Sequence, residues 1–346
     1  MIPPHLPVPR LFSFILLSSL LFTACGDPNA FSHRRSQFLM GTLVEISVIE
    51  KDEELAITAI QQAFREIRRL ENLMSIHIPD SEVSKINQAA GKNRVAVSKE
   101  LMAVIQRSLF WSEKTDGAFD ITIGPAQELW DFDASSLPSE NSIADAIKKI
   151  DFRKIQLDEQ NVFLAEKGMR LNLGAIAKGY AVDKAIDIIK GNKIQSALIN
   201  AGGDLKSIGK RTDQLNWRIG LQHPRNSESL LASFSISGNA VATSGDYQKY
   251  FEQNGKRYHH ILAPKTGYPA MTGSMSATVI AKNVMDADAL STAIFVLGSE
   301  KGIALLDSLN DVEGLIVDIK GEASLSRNMG SIENFSLKSF KNNIRH

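Results

Sequence analysis

The chain has 346 residues, 43% hydrophobic and 23% charged, a globular composition long enough for one large domain or two ordinary ones. Basic and acidic side chains balance at 39 each, so charge offers no footing for nucleic acid or a polyanionic surface. A single Cys excludes a disulfide framework within the chain.

That Cys closes an export segment. Arg10 precedes the apolar run Leu11 to Phe22, and Thr23, Ala24, Cys25 and Gly26 follow. A positive start, a short apolar stretch and small residues at a cleavage site describe a secretory signal. The run is too short to span a bilayer. A Cys directly after the small residues is the arrangement in which residues 1–24 are removed and Cys25 is acylated as the new N-terminus. An ordinary signal peptide with an incidental Cys is the alternative. Residues 25–37 then read as a lipidated, polar tether. The protein is expected outside the cytoplasm, anchored to a membrane by lipid, on the periplasmic side of the inner or outer membrane in a diderm host.

Downstream, FLMGTLVEISVIE (Phe38 to Glu50) reads as a strand with Val44, Ile46 and Val48 on one face. Glu53 to Leu73 repeats Ala56, Ile60, Ala63, Ile67 and Leu70 at helical spacing. Ser98 caps a second helix reaching Lys114, with Asp116-Gly117 ending it. A third runs from about Ala175 to Lys190 and stops at Gly191. The second half is richer in strands: Ile194 to Asn200, Trp217 to His223, Asn239 to Gly245 and Ser274 to Ala281. Asn254-Gly255 between two strand-like runs predicts a hairpin. A helix from about Met285 to Leu297 follows, ended by Gly298, and the tail from Phe335 is polar and basic. Hairpins with interspersed helices predict an α+β fold rather than a doubly wound sheet. Residues 38–334 read as one compact domain and 335–346 as a tail.

Four segments could carry chemistry. On the last helix Asp288 and Thr292 lie four apart, so both leave one face. A carboxylate and a hydroxyl are hard oxygen ligands suited to Mg²⁺, although a helix start with a back-bonded hydroxyl has the same spacing. Asn172-Leu-Gly-Ala175 enters a helix whose first turn offers free backbone N–H groups to an anion. Lys178 in that turn opposes the helix dipole, which a nearby anion would relieve; a solvated Lys is the alternative. His260 ends a hairpin strand and could take a proton from a hydroxyl, while His259 points to the opposite face. After Gly117, Phe119 and Asp120 could offer a flat apolar face beside an acceptor, or a helix cap followed by a buried Phe. The Asn200-Ala-Gly-Gly-Asp204 turn allows close backbone approach but lacks Walker A or Rossmann spacing.

Together the segments MGTLVEISV, DSEVSKIN, GAFDITIGP, NLGAIAKGYAVD, NAGGDL, WRIGLQHP, ATSGDYQKYF, HHILAPKTG and SATVIAKNVMDADALSTAIFVLG resemble, in order, the ApbE family of flavin:protein FMN transferases. The resemblance implies a T-fold-like α+β domain with mixed or antiparallel sheets. It implies FAD as substrate, Mg²⁺ as cofactor, and transfer of FMN through a phosphoester to a Thr or Ser of an acceptor protein, with AMP released. Mg-dependent FAD pyrophosphatase activity, or non-catalytic FAD binding, are the rival readings. Carried over position by position, Met40, His77, Ala118, Phe119, Asp120, Asn172, Lys178 and the Leu262 backbone match FAD contacts. Asp288, Thr292 and the Ala175 carbonyl match metal ligands, and His260 matches the base. Three positions depart from the family's usual residues: Ala263 for Asp, His77 for Tyr and Asn172 for Asp. The acceptors implied are subunits of membrane redox complexes or flavin-bearing reductases.

Overall fold

The structure, a computed structural model, describes residues 31–338. The export segment and Cys25 lie outside the described residues. In chain order the elements are β1 (Phe31–Leu39), β2 (Thr42–Glu50), α1 (Glu53–Met74), α2 (Glu82–Ala89), β3 (Val95–Ala96), α3 (Lys99–Lys114), α4 (Gly124–Gln127) and α5 (Glu140–Ile147). Next come β4 (Ile155–Asp158), β5 (Asn161–Leu164), α6 (Ala177–Gly191), β6 (Ser196–Ala201), β7 (Asp204–Ile208), β8 (Trp217–His223), β9 (Asn226–Ile236) and β10 (Ala240–Gly245). The chain closes with β11 (Tyr250–Gln253), β12 (Lys256–His259), β13 (Ser274–Ala281), α7 (Val284–Asp307), β14 (Glu313–Asp318), β15 (Ala323–Leu325) and β16 (Ser336–Leu337).

The frame is an eight-stranded sheet in the order β1-β2-β6-β7-β10-β13-β14-β15, with every neighbour antiparallel. Alternation assigns its two faces. Val44, Ile46, Val48, Ala197, Ile199, Ala242 and Val279 join α1, α6 and α7 in the largest core. Leu205, Val241, Ile280, Leu315 and Val317 face the other way, against Trp217, Ile219, Leu221 and Phe234 of the small sheet β16-β9-β8. The α+β class is as the sequence predicts. The first half of α7, Val284 to Phe295, is almost wholly buried because α6, β10, β13 and β14 cover it. A third cluster gathers Trp130, Ile143, Phe251 and Leu262, and pins the β11–β12 hairpin to the α4–α5 region. Trp130 stands 5.8 Å from Tyr258 and 5.9 Å from Tyr268, centroid to centroid.

Several boundaries differ from the sequence reading. The expected tether turns into structure at Phe31: residues 31–39 pair along β2, so the predicted strand from Phe38 is two strands joined at Met40-Gly41. Polar β1 carries no alternating signal because an edge strand can be held by backbone pairing with its side chains in water. The tail likewise contributes β16, whose Ser336 and Leu337 pair with Ser233 and Ala232. Gly298, at φ 79° and ψ 176°, breaks α7, but the helix resumes to Asp307 because Leu306 re-enters the core.

Candidate active site

The site forms where α6 and α7 meet the ends of β7 and β10. Gly179 lets them meet: a Cβ there would lie 2.4 Å from the Val284 carbonyl oxygen. Asp183, one turn further along α6, accepts the Val284 and Met285 N–H groups at 2.9 and 3.0 Å, tying the start of α7 to α6. This contact places Asp288 over the first turn of α6, where the Gly179 N–H donates to Asp288 Oδ2 at 3.1 Å.

Lys178 sits between two buried carboxylates. Its Nζ is 2.9 Å from Asp204 Oδ2, 3.4 Å from each Asp288 oxygen, and donates to the Gly174 carbonyl at 3.1 Å. The anion that the helix dipole called for is therefore supplied in part by the protein itself. Burial opposes the Lys178 charge, but Asp204 and Asp288 outweigh it and hold the ammonium well above the ordinary lysine range. Burial, with Asp204 adding like-charge repulsion, pushes Asp288 up from the usual carboxylate range despite Lys178. Two carboxylates around one ammonium leave the cluster short of positive charge. Thr292 lies one turn beyond Asp288, its hydroxyl 3.1 Å from Ser244 Oγ, which is in turn 2.9 Å from Ser291 Oγ.

His260 follows β12. Its backbone N–H donates to the Lys249 carbonyl at 3.0 Å and its Nδ1 lies 3.2 Å from the same oxygen. A carbonyl only accepts, so Nδ1 carries the proton and Nε2 keeps its lone pair. Burial depresses its pKa to about 4; the Lys249 carbonyl pulls upward, and the charges of His259, Lys178 and Lys249 push down. His259 turns the other way, edge-on to Phe295 at 5.3 Å, with Nε2 3.2 Å from the Ala270 carbonyl.

The remaining predicted residues lie in the surrounding loops and turns. Asn172 bridges the loop ahead of α6: its amide donates to Gln127 Oε1 at 2.6 Å and its oxygen accepts from the Gly174 N–H at 2.8 Å. Lys265, in the turn after Leu262, meets Asp116 Oδ2 at 2.6 Å and so joins that turn to the Ala118–Asp120 loop. Leu262 is buried and bridges Pro269, while Ala263 accepts from Thr266 and donates to Tyr268. Met40, at φ 52°, donates its N–H to Glu71 Oε1 at 2.7 Å. Its turn abuts the Gly202-Gly203 turn, for Gly202 N–H donates to the Leu43 carbonyl at 3.2 Å. His77 is exposed in the turn after α1.

Of the two readings open for Phe119, the structure takes the buried one: its ring belongs to the main core at 2% exposure. Asp120 is also committed: Oδ1 accepts from the Thr122 N–H and hydroxyl at 2.8 and 2.7 Å, and Oδ2 from the Phe152 N–H at 3.1 Å. Burial raises its pKa against those bonds. Sequence reasoning also missed Asp204, Ser244 and Lys249 as site members. Asp204 had a signal, being the acid after two glycines in a turn. Lys249 acts through its backbone carbonyl, which no side-chain pattern reveals.

Hard oxygen groups, a fixed ammonium and a neutral imidazole beside a helix start define a site for a phosphate-bearing substrate in an antiparallel α+β fold. The ApbE family model matches residues 40–316. An FAD:protein FMN transferase of Klebsiella pneumoniae is 38% identical over 306 residues, 87% of this chain and 93% of that protein. One of Treponema pallidum is 34% identical over 311 residues, 84% of this chain and 86% of that one. Among solved structures, the ApbE protein of Thermotoga maritima superimposes with a TM-score of 0.82 at 34% identity, covering 88% of this chain and all (100%) of that one. The flavin transferase ApbE of Vibrio cholerae gives 0.80 at 27% identity, covering 88% and 99%. The chain belongs to the ApbE family.

Proposed function

We propose that this protein cleaves FAD and transfers its FMN half to a Thr or Ser hydroxyl of an acceptor protein, releasing AMP. One observation carries the assignment of the base: His260 Nδ1 lies 3.2 Å from the Lys249 carbonyl, which only accepts, so Nδ1 holds the proton and Nε2 is left as the free lone pair. The acceptor hydroxyl gives its proton to Nε2 as its oxygen bonds to the FMN-side phosphorus. The bond from that phosphorus to the bridging oxygen breaks, and AMP leaves with the electron pair. The Lys178 ammonium is already paired with Asp204 and Asp288, so it holds their carboxylates in place beside the first turn of α6. The chain's own groups thus orient the reactants and move one proton.

The donor set fits Mg²⁺. Asp288, the Thr292 hydroxyl and the Ala175 carbonyl are all hard oxygens, and the cluster has a carboxylate in excess of its ammonium. Among the described residues no three His, Cys, Asp or Glu side chains group as a metal cage. When bound, Mg²⁺ would neutralise charge on the pyrophosphate.

The sequence around Cys25 supports acylation and membrane anchoring on the extracytoplasmic side, where acceptors would be subunits of membrane redox complexes. Cys25→Ala is expected to move the protein from the membrane to the soluble fraction and to abolish labelling by radiolabelled palmitate; a variant that stays membrane-bound and labelled would count against the anchor.

The activity is tested by incubating the full-length protein with FAD and Mg²⁺, with and without a threonine-bearing acceptor domain. Flavin fluorescence that stays on the acceptor band in a denaturing gel is the expected result, and free FMN alone would assign a pyrophosphatase. His260→Ala should keep FAD binding and lose about 10²–10⁴-fold in transfer; loss of binding would contradict its role as base.

A further inference from the structure

On the face of the large sheet opposite α6 and α7, a cavity of about 750 Å³ opens between that sheet and β8. Its walls include Leu43, Asn200, Gly203, Gly220, Thr243 and Tyr250. Along β8 the lining residues run consecutively from Ile219 to His223, and the lining continues through the turn to Asn226 and Ser227 of β9. Successive side chains of a strand point to opposite faces, so a consecutive run lines one space only along the strand's edge.

Among the described residues no strand pairs with that edge. The small sheet is ordered β16-β9-β8, which leaves the outer side of β8 open. Ser235 donates its N–H to the Glu333 carbonyl at 2.7 Å, and the Leu231 carbonyl accepts from Lys338 at 2.9 Å. The odd-numbered residues of β9 therefore face β16, and Ala232, Phe234 and Ile236 face β8. Their partners are Leu221, Ile219 and Trp217. The alternate residues Arg218 and Gly220 must then turn their N–H and C=O outward. No backbone group meets them among the described residues.

The cleft shares its strands with the reaction site but lies on the opposite face of the sheet. Gly203 on its wall is followed by Asp204, the partner of Lys178. Thr243 on its wall is followed by Ser244, which contacts Thr292 from the other face of β10. Tyr250 and Arg257 on its rim belong to the hairpin that ends in His260. In-line displacement needs nucleophile and leaving group on opposite sides of phosphorus. With the nucleotide against the start of α6, the acceptor must arrive from elsewhere, and the cleft runs along the opposite face of the same strands.

We infer that the cleft receives an extended segment of the acceptor polypeptide, added as a further strand on the outer edge of β8, and this rests on the transferase reading. Alternating donors and acceptors at strand spacing are met by another backbone and by no small molecule. Gly203 on the opposite wall, where an added Cβ would meet nothing within 4 Å, leaves room for close backbone approach.

The test uses the full-length protein, FAD, Mg²⁺ and a threonine-bearing acceptor domain that the unaltered protein flavinylates. Gly220→Pro removes an N–H that bonds nothing in the fold, at an edge where proline is tolerated. Leu43→Glu places a charge on the cleft wall at an exposed position. Both should raise the KM for the acceptor about ten-fold or more, while acceptor-free conversion of FAD to FMN and AMP stays within about two-fold. Should Gly220→Pro fail to fold, Leu43→Glu decides alone. An unchanged acceptor KM, as expected if another occupant such as the chain's own residues before Phe31 fills the cleft, overturns the inference. So does a loss that falls on acceptor-free FAD turnover. If the unaltered protein labels no acceptor at all, the transferase reading fails first and the cleft assignment falls with it.

Discussion

Alanine at Gly179 should destabilise the protein, against what helix propensity alone predicts. In an exposed helix interior, Gly to Ala gains about 0.5–1 kcal/mol. Here the new methyl would lie 2.4 Å from the Val284 oxygen, 2.6 Å from its carbonyl carbon and 2.8 Å from the Met285 Cα. All three atoms are backbone, and Asp183 holds their segment through two N–H groups. The α6–α7 contact must open by about 1 Å to reach ordinary separations. Overpacking of this kind costs about 1–3 kcal/mol, so after the propensity gain the net loss is about 1–2 kcal/mol. At about 2–4 °C per kcal/mol the Tm falls by about 2–8 °C. The same opening lengthens the 3.1 Å bond from Gly179 N–H to Asp288. Misplacing a group by about 1 Å can cost about 100-fold in rate, so transfer should fall more than stability does. Scanning calorimetry and the acceptor-labelling assay read the two effects. A Tm equal to or above that of the unaltered protein would refute the idea that close helix contact builds the site.

His260 holds its proton less readily folded, at about 4, than at the ordinary 6.5. Its neutral form therefore persists, and kcat/KM should stay level through pH 6.5 and fall only as pH drops through about 4; an acid limb near 6.5 would contradict the desolvation of this half-exposed imidazole. By the same linkage its contribution to stability is complete above 6.5 and is lost as pH falls toward 4. Lys178→Met leaves Asp204 and Asp288 without their ammonium and should cost about 3–5 kcal/mol in denaturant melts. Added Mg²⁺ should recover part of that loss, and indifference to Mg²⁺ would argue against a cation at Asp288. Trp130→Ala empties the cluster behind the β11–β12 hairpin and should cost about 3–5 kcal/mol. It should also lower transfer by freeing His260; a melt like that of the unaltered protein would show the hairpin is held elsewhere.

Much of the architecture was legible because local patterns act at short range. Val44, Ile46 and Val48 alternate, and all three are fully buried. Ser98 accepts from the Leu101 N–H as a cap should, and Asn254-Gly255 turns the hairpin. β1 was not legible, since its residues bury almost nothing and only pairing with β2 makes them a strand. α2 and α5 were passed over although Ser81 and Ser139 cap them, because each is only eight residues long. Phe119 was ambiguous between ligand face and core, and packing put it in the core.

By itself the sequence determined residue types at helical and strand spacing: Asp288 and Thr292 on one face, His259 and His260 on opposite ones. Each of those statements spans a few residues, and backbone periodicity is enough to make them. Only the tertiary structure decided that Asp204 and Asp288 share Lys178, that Lys249 sets the His260 tautomer, and that β8 keeps an open edge. Those depend on which strands are neighbours and how closely two helices approach, quantities set by packing between residues far apart in the chain.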